Sequence, residues 1–297
     1  MLRRPTTELL LAGGLDPAGV ERIVRTALEE DLRYGPDVTS AATAPPGTRA
    51  VAGVVARQPG VLAGLPVALA VLDLAGLPAE SAVPLGSDGD RIGPGTEVLR
   101  IDAPLRELLG AERTLLNFLT HLSGVATATR AWADALAGTG CVVRDTRKTL
   151  PGLRALEKYA VRCGGGRNHR LGLGDAALIK DNHVVAAGGI TQAIEAVRAA
   201  APGLPLEVEC DTLKQVREAL DAGAGLILLD NMDLAQLRQA VALTKTYPGT
   251  RLEASGGLRL DAARAVAATG VDFVAVGALT HSSPALDLGL DVGPAAG

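Results

Sequence analysis

The sequence is poor in rings: of 297 residues, 2% are aromatic, with one Trp, two Phe and three Tyr. Proteins that hold single-stranded nucleic acid stack its bases on aromatic side chains, so composition excludes that mode of binding. Apolar residues still make up 47% of the chain, and the core is therefore built from Leu, Val, Ile and Ala. No apolar run reaches the roughly 18 residues of a membrane-spanning helix. Met1-Leu2-Arg3-Arg4 leads into Pro5 and polar residues rather than the unbroken apolar segment of a secretory signal, so a cytoplasmic protein is expected. Cysteine is scarce as well. Cys141, Cys163 and Cys210 are odd in number, far apart and without a C-x-x-C pair, which argues against a disulfide framework and a structural zinc site. The four histidines, His121, His169, His183 and His281, show no H-E-x-x-H or comparable ligand spacing. Any metal is expected to come through carboxylates.

What is present divides into three textures. Asp16 followed by Pro17 and by Val20, Ile23, Val24, Ala27 and Leu28 predicts a capped helix that ends near Leu32. From Arg49 to about Ile101, short Val- and Leu-rich runs punctuated by Gly and Pro predict a small strand-rich domain, with GDRIGPGTEVLRI reading as a hairpin. Leu108, Leu109, Leu115, Leu116, Leu119 and Leu122 then recur at helical spacing, predicting a long helix from Leu105 to Leu136 broken near Ser123-Gly124. After Gly140, six short apolar runs begin at Cys141, Ala176, Leu206, Leu226, Arg251 and Phe273. Most are separated by helix-length segments such as Ile190 to Ala200, Leu213 to Ala222, Leu234 to Leu243 and Ala262 to Ala268. Repeated strand and helix favours an α/β barrel, with a doubly wound sheet as the alternative. In the tail, Leu286, Leu288, Leu290 and Val292 alternate with Asp287, Gly289 and Asp291, the pattern of a strand returning to the first domain. The expected division is 1–115, rejoined by 284–297, and 116–283.

In α/β barrels the working residues lie beyond the carboxyl ends of the strands. Here the six runs lead into Arg147-Lys148, Lys180-Asp181-Asn182, Glu209, Asp230-Asn231, Ser255-Gly256-Gly257 and Gly277-Ala278-Leu279. From Arg144 to Lys180 there are nine Lys or Arg against three acidic residues, a window of +6 in a chain whose net charge is −4. A basic island confined to one segment of an acidic chain points to a small polyanion rather than to nucleic acid. Glycines after successive strands let backbone N–H groups approach a phosphate, with the Ser255 hydroxyl as a further donor. Glu209 and Asp230 either hold Mg²⁺ or pair with the basic residues around them. Arg147 and Arg170 offer planar forks matched to carboxylate, and crowding them with His169 and Lys180 requires a compensating anion.

These residues sit in longer runs that closely resemble the quinolinate phosphoribosyltransferase family. The resemblance is carried by DTRKTLPGLRALEKYAVRCGGGRNHRLGL, the IKDNH run from Ile179 to His183, EVE ending at Glu209, LLDN ending at Asn231, EASGG ending at Gly257 and VGALTHS. EEDL near Asp31, GPDVTS near Thr39, AERTLLN from Ala111 to Asn117 and the ALDLGLD tail extend it over nearly the whole chain. It implies an incomplete α/β barrel of six to seven strands with an N-terminal α/β sandwich domain, and a homodimer in which Arg113 reaches the partner's site. It further implies that Arg113, Arg147, His169, Arg170 and Lys180 bind the two carboxylates of quinolinate. Lys148 would contact the pyrophosphate side of phosphoribosyl pyrophosphate, Glu209 and Asp230 its ribose and Mg²⁺, and Ser255, Gly256 and Gly277 its terminal phosphate. Lys148, Lys180, Glu209 and Asp230 are then the catalytic set. Three rival readings stand beside this one: transfer to a related monocarboxylate, a barrel aldolase or epimerase with Lys180 as the Schiff-base amine, and a noncatalytic phosphosugar-binding or regulatory barrel.

Overall fold

In the computed structural model, which describes residues 1–77 and 81–293, the first helix is one that no local cap announces. Helix α1 (Arg4–Ala12) begins after Arg3, whose side chain makes no capping bond, and buries Thr6 and Leu10. The expected helix follows as α2 (Pro17–Leu32). The Asp16 carboxylate accepts the Ala18 and Gly19 N–H groups at 3.2 and 3.0 Å, and Val20 and Val24 are buried. A short α3 (Val38–Thr43) is capped by Asp37.

Strands β1 (Arg49–Ala56), β2 (Gly60–Val61), β3 (Ala82–Pro84), β4 (Arg91–Ile92) and β5 (Glu97–Pro104) come next. Between β2 and β3 lies α4 (Leu65–Leu74), which the strand-rich reading passed over. It is apolar on nearly every side and almost wholly buried, so it shows no one-sided helical period. Its cap is remote in sequence: the Asp88 carboxylate accepts Gly64 N–H at 2.7 Å and Leu65 N–H at 3.1 Å. The expected hairpin does not form, because β4 pairs with β2 while β5 pairs with β1 and β3. The terminal strand β12 (Leu288–Val292) pairs antiparallel with β1, giving a four-stranded sheet in the order β12-β1-β5-β3. Residues 294–297, the end of the segment assigned to this strand, lie outside the described residues.

Helix α5 (Leu105–Ala135) is continuous, not broken at Ser123-Gly124. Small residues there serve close approach. A Cβ on Gly124 would lie 2.2 Å from the Pro284 carbonyl oxygen, and the Ser123 hydroxyl accepts Ala63 N–H at 3.0 Å. By contact density the chain forms two units: Met1–Ala128 with Leu150–Gly165 and Ser282–Gly297, and Thr129–Thr149 with Gly166–His281. The first unit therefore includes α6 (Arg154–Cys163), where buried Glu157 accepts Leu150 N–H at 3.1 Å and sits 2.9 Å from His121 Nε2.

The second unit holds six parallel strands, β6 (Val142–Arg144), β7 (Ala177–Ile179), β8 (Leu206–Cys210), β9 (Leu226–Asp230), β10 (Arg251–Ser255) and β11 (Phe273–Ala275). Each lies on one of the six predicted runs. Their order, β6-β11-β10-β9-β8-β7, is the cyclic order of a barrel opened between β6 and β7. The helices α7 (Asp181–Ala187), α8 (Ile190–Ala200), α9 (Leu213–Asp221), α10 (Leu234–Thr244), α11 (Ala263–Ala267) and α12 (Ala278–His281) alternate with the later strands. Thr212 with Gln215 and Asp233 with Gln236 form capping boxes that start α9 and α10 at the end of short strand-to-helix loops. Cys141, Cys163 and Cys210 are free thiols, the first and last buried. Among the described residues no helix is long and apolar enough to cross a membrane.

Two glycines of α5 separate packing from helix propensity. Gly124→Ala should destabilise the chain by about 1–3 kcal/mol through overpacking against Pro284. Gly110→Ala, where an added Cβ meets open space, should be neutral or stabilising by up to about 1 kcal/mol. Urea denaturation of both variants checks the pair, and an equal response would refute the close approach at Gly124.

Candidate active site

The carboxyl ends of the six strands surround a cavity of about 350 Å³. Strand alternation decides what enters it. Two-residue periodicity turns Glu207 and Glu209 of β8 inward together, as it does Leu228 and Asp230 of β9, and Glu253 and Ser255 of β10. Of the predicted residues, Arg147, Lys148, His169, Arg170, Lys180, Glu209, Asp230 and Ser255 line the cavity, joined by Thr146, Leu178, Leu228, Glu253 and Ala275. Gly256 and Gly277 do not line it, but they shape its loops. Arg113 is exposed on α5 in the first unit and is not among the lining residues.

Backbone bonds fix the loop after β6. The Thr146 hydroxyl accepts Lys148 N–H at 3.0 Å, and the Thr280 hydroxyl donates to the Lys148 carbonyl at 2.8 Å. Gly277 leaves room for the Lys148 stem, since a Cβ there would stand 3.0 Å from Lys148 Cδ. The loops after β9 and β10 interlock. Asn231, at φ +53°, donates its N–H to the Ser255 carbonyl at 3.0 Å and its amide to Asp230 Oδ2 at 2.6 Å. Gly256 takes φ +96°, and any Cβ there would lie 2.2 Å from Asn231 Oδ1. Only glycine satisfies both demands.

Lys180 Nζ lies 2.8 Å from Glu209 Oε2. Its backbone N–H donates to His183 Nδ1 at 3.0 Å, which assigns the final His of IKDNH to shaping the start of α7. Arg170 donates from one guanidinium nitrogen to the Ala176 carbonyl at 3.1 Å. Burial and neighbouring Arg147 push its pKa below the usual arginine range. That direction is the mark of cations crowded together, which an anion would relieve. The +6 segment does not converge as a whole, because Arg154, Lys158 and Arg162 belong to α6 in the first unit.

Under these cations lies a buried charged layer that motif reading missed. Glu253 is fully buried and pairs with Arg144; Glu207 is 4% exposed, with an oxygen 2.6 Å from His169 Nε2. His169 Nδ1 accepts Arg170 N–H at 2.7 Å, and buried Asp145 accepts His169 N–H at 2.8 Å and the Asn168 amide at 2.5 Å. This pattern assigns the ring proton to Nε2, facing Glu207. Both ring nitrogens of His169 are thus committed within the protein. Histidine and the two glutamates bring donor atoms within 4.8 Å of one another although no sequence spacing links them. The available signal was charge inside apolar strands: Arg144, Glu207 and Glu253 each interrupt a run that otherwise reads as core.

Comparisons with known proteins identify the family and the fold. Residues 37–123 match the model of the quinolinate phosphoribosyl transferase N-terminal domain, and residues 125–291 match that of the C-terminal domain. The nicotinate-nucleotide pyrophosphorylase (carboxylating) of Mycobacterium leprae is 55% identical over 271 residues, spanning 91% of this chain and 95% of that protein. The Homo sapiens protein of the same name is 38% identical over 280 residues, covering 93% and 92%. Among solved structures, the nicotinate-nucleotide pyrophosphorylase of Francisella tularensis superposes with a TM-score of 0.87 at 34% identity, over 94% of this chain and 98% of that one. That of Ehrlichia chaffeensis gives 0.86 at 35% identity, over 92% and 98%. With both domain models matched in order, and relatives matched nearly end to end, the chain belongs to the quinolinate phosphoribosyltransferase family.

Proposed function

We infer that this chain transfers the phosphoribosyl group of phosphoribosyl pyrophosphate to quinolinate with loss of CO₂, giving nicotinate mononucleotide and pyrophosphate in NAD biosynthesis. The observation that carries the reading is the cavity at the strand ends, where Arg147, Lys148, Arg170 and Lys180 meet Glu209, Asp230 and Ser255. A substrate with two carboxylates matches that excess of cations, whereas a monocarboxylate would leave more of it uncompensated. The Lys180 ammonium is ion-paired with Glu209, while a Schiff-base lysine must present a free amine.

Arg147, Arg170 and Lys180 bind the quinolinate carboxylates, His169 fixes the backbone of Arg170, and the partner subunit's Arg113 completes the set in a homodimer. Lys148 faces the pyrophosphate. Ser255, in the turn shaped by Gly256, and the loop at Gly277 take the terminal phosphate. Glu209 and Asp230 suit a Mg²⁺ ion. Each spends one oxygen, on Lys180 and on Asn231, and leaves the other without a hydrogen bond among the described residues. Mg²⁺ commonly takes one or two carboxylates and fills its shell with waters and substrate phosphate oxygens. Glu209 and Asp230 would hold it, and the ion would offset charge on the departing pyrophosphate.

As the pyridine nitrogen attacks the anomeric carbon, positive charge develops on the sugar, and the fixed carboxylates stabilise it by roughly 10²- to 10³-fold in rate per group. Once ribosylated, the positively charged ring nitrogen stabilises the electron pair left on the adjacent ring carbon as its carboxylate departs as CO₂, and that carbon then takes up a proton to give nicotinate mononucleotide. The protein's contribution at that step is to hold and desolvate the ring.

In an assay with quinolinate, phosphoribosyl pyrophosphate and Mg²⁺, nicotinate mononucleotide and CO₂ should appear in equal amounts. Turnover of nicotinate in place of quinolinate would overturn the substrate. Loss of a charge-assisted contact in Arg170→Ala should weaken quinolinate binding by about 1.5–3 kcal/mol, or roughly 10- to 150-fold, and leave phosphoribosyl pyrophosphate affinity nearly unchanged. Equal losses for both substrates, measured by calorimetry, would sink that role. Arg113→Ala and Lys180→Ala proteins, each inactive alone, should recover activity when their subunits are exchanged; verified heterodimers without activity would remove Arg113 from the partner's site.

A further inference from the structure

The reading of the cavity leaves Glu253 without a task, although it borders the space where the substrate sits. Strand β10 places it between Leu228 of β9 and Phe273 of β11, its partners in register, so its immediate strand neighbours are apolar. The charged groups that face it come from elsewhere: Arg144 on β6 with Asp145 just beyond, Glu207 on β8, and His169 on the loop before β7. Arg144 occupies Oε2. Oε1 is buried with no hydrogen-bond partner among the described residues, and His169 Nε2 stands 3.8 Å away, beyond hydrogen-bonding reach. A buried carboxylate oxygen left unsatisfied is destabilising, because it has given up water without gaining a partner. An ionised one beside a bound dianion would add repulsion.

A proton on Oε1 removes the repulsion, and the unsatisfied oxygen gains a partner once a substrate oxygen accepts that proton. Burial and the neighbouring Glu207 carboxylate push the Glu253 carboxyl up to about 8, so it is uncharged at neutral pH. Glu207 also has a buried Oε1 without a hydrogen-bond partner among the described residues, but it borders a different cavity. Nor does His169 supply a donor to the substrate, since its Nε2–H faces Glu207 and its Nδ1 accepts Arg170 N–H.

Resting on the quinolinate reading, we propose that Glu253 is a substrate-binding residue whose protonated carboxyl donates a hydrogen bond from Oε1 to a carboxylate oxygen of quinolinate. The donor adds no positive charge to a pocket already crowded with cations, and it ties binding to one proton. Substrate binding favours the protonated form, so affinity is full below the pKa of the free enzyme and is lost as pH rises through it, by up to about tenfold per pH unit.

The test is the KM of each substrate between pH 6.5 and 9.5 in the wild type, Glu253→Gln and Glu253→Ala. In the wild type, KM for quinolinate should be flat to about pH 8 and then climb, while KM for phosphoribosyl pyrophosphate does not follow. Glu253→Gln keeps an N–H donor and loses the proton, so its quinolinate KM should lack the rise and lie at least about fivefold below that of Glu253→Ala at pH 7. The same rise in Glu253→Gln, or a Gln variant no better than Ala, overturns the proposal. Calorimetry on the unmodified enzyme gives a second arm should the variants fail to fold. Quinolinate binding at pH 8.5, in two buffers of different ionisation enthalpy, should show net proton uptake, and zero uptake or release overturns the proposal. An enzyme that binds no quinolinate at any pH would instead refute the substrate reading on which this rests.

Discussion

Like-charge repulsion is the constraint around which the second unit is organised. Arg147, Lys148, Arg170 and Lys180 share one cavity, and no four cations stay together in a partly buried space without compensation. The barrel supplies it in two tiers. At the rim, Glu209 pairs with Lys180 directly. One layer deeper, the carboxylates of Glu207 and Asp145 supply it, and the uncharged carboxyl of Glu253 completes a floor in positions that barrels usually fill with apolar side chains. The floor meets the cations through Arg144 and through His169, which links Glu207 to the backbone of Arg170. The cations are therefore concentrated at the cavity surface, above the buried carboxyl groups.

The loops show the same economy of parts. Asp230 is aimed by its own neighbour Asn231, and that Asn reaches its position by adopting a left-handed conformation that locks it to Ser255. Gly256 completes the lock by having no side chain. Asp230 and the turn at Ser255-Gly256 are thus one rigid piece made from two strand ends, a geometry that suits the roles proposed for them in phosphoribosyl transfer.

Much of this was legible in the sequence, for identifiable reasons. The six strands of the second unit were found because each is a short apolar run ending in a polar residue, and Arg147, Lys148, Lys180, Glu209, Asp230 and Ser255, which line the cavity, were read off those ends. What failed had no local signature. Helix α4 is apolar all round and capped by an aspartate 24 residues away, so neither periodicity nor a cap marked it. Gly124 looked like a helix break but serves contact with Pro284. The supposed hairpin strands each found other partners. The acidic floor escaped because its members lie on different strands and a loop, and only the barrel's curvature brings them together.

The sheet of the first unit carries a consequence for how the protein is made. Strand β1 lies between β5, which ends at Pro104, and β12, which begins at Leu288. On the ribosome, β1 and β5 emerge before the second unit, but the strand that covers the other edge of β1 is translated only after all six strands of that unit. During elongation that edge presents unpaired N–H and C=O groups, the surface on which strands from other chains can add. Nascent chains released before Leu288 would keep this edge permanently, so premature termination yields a product prone to aggregate even where the whole rim of the cavity has already been synthesised.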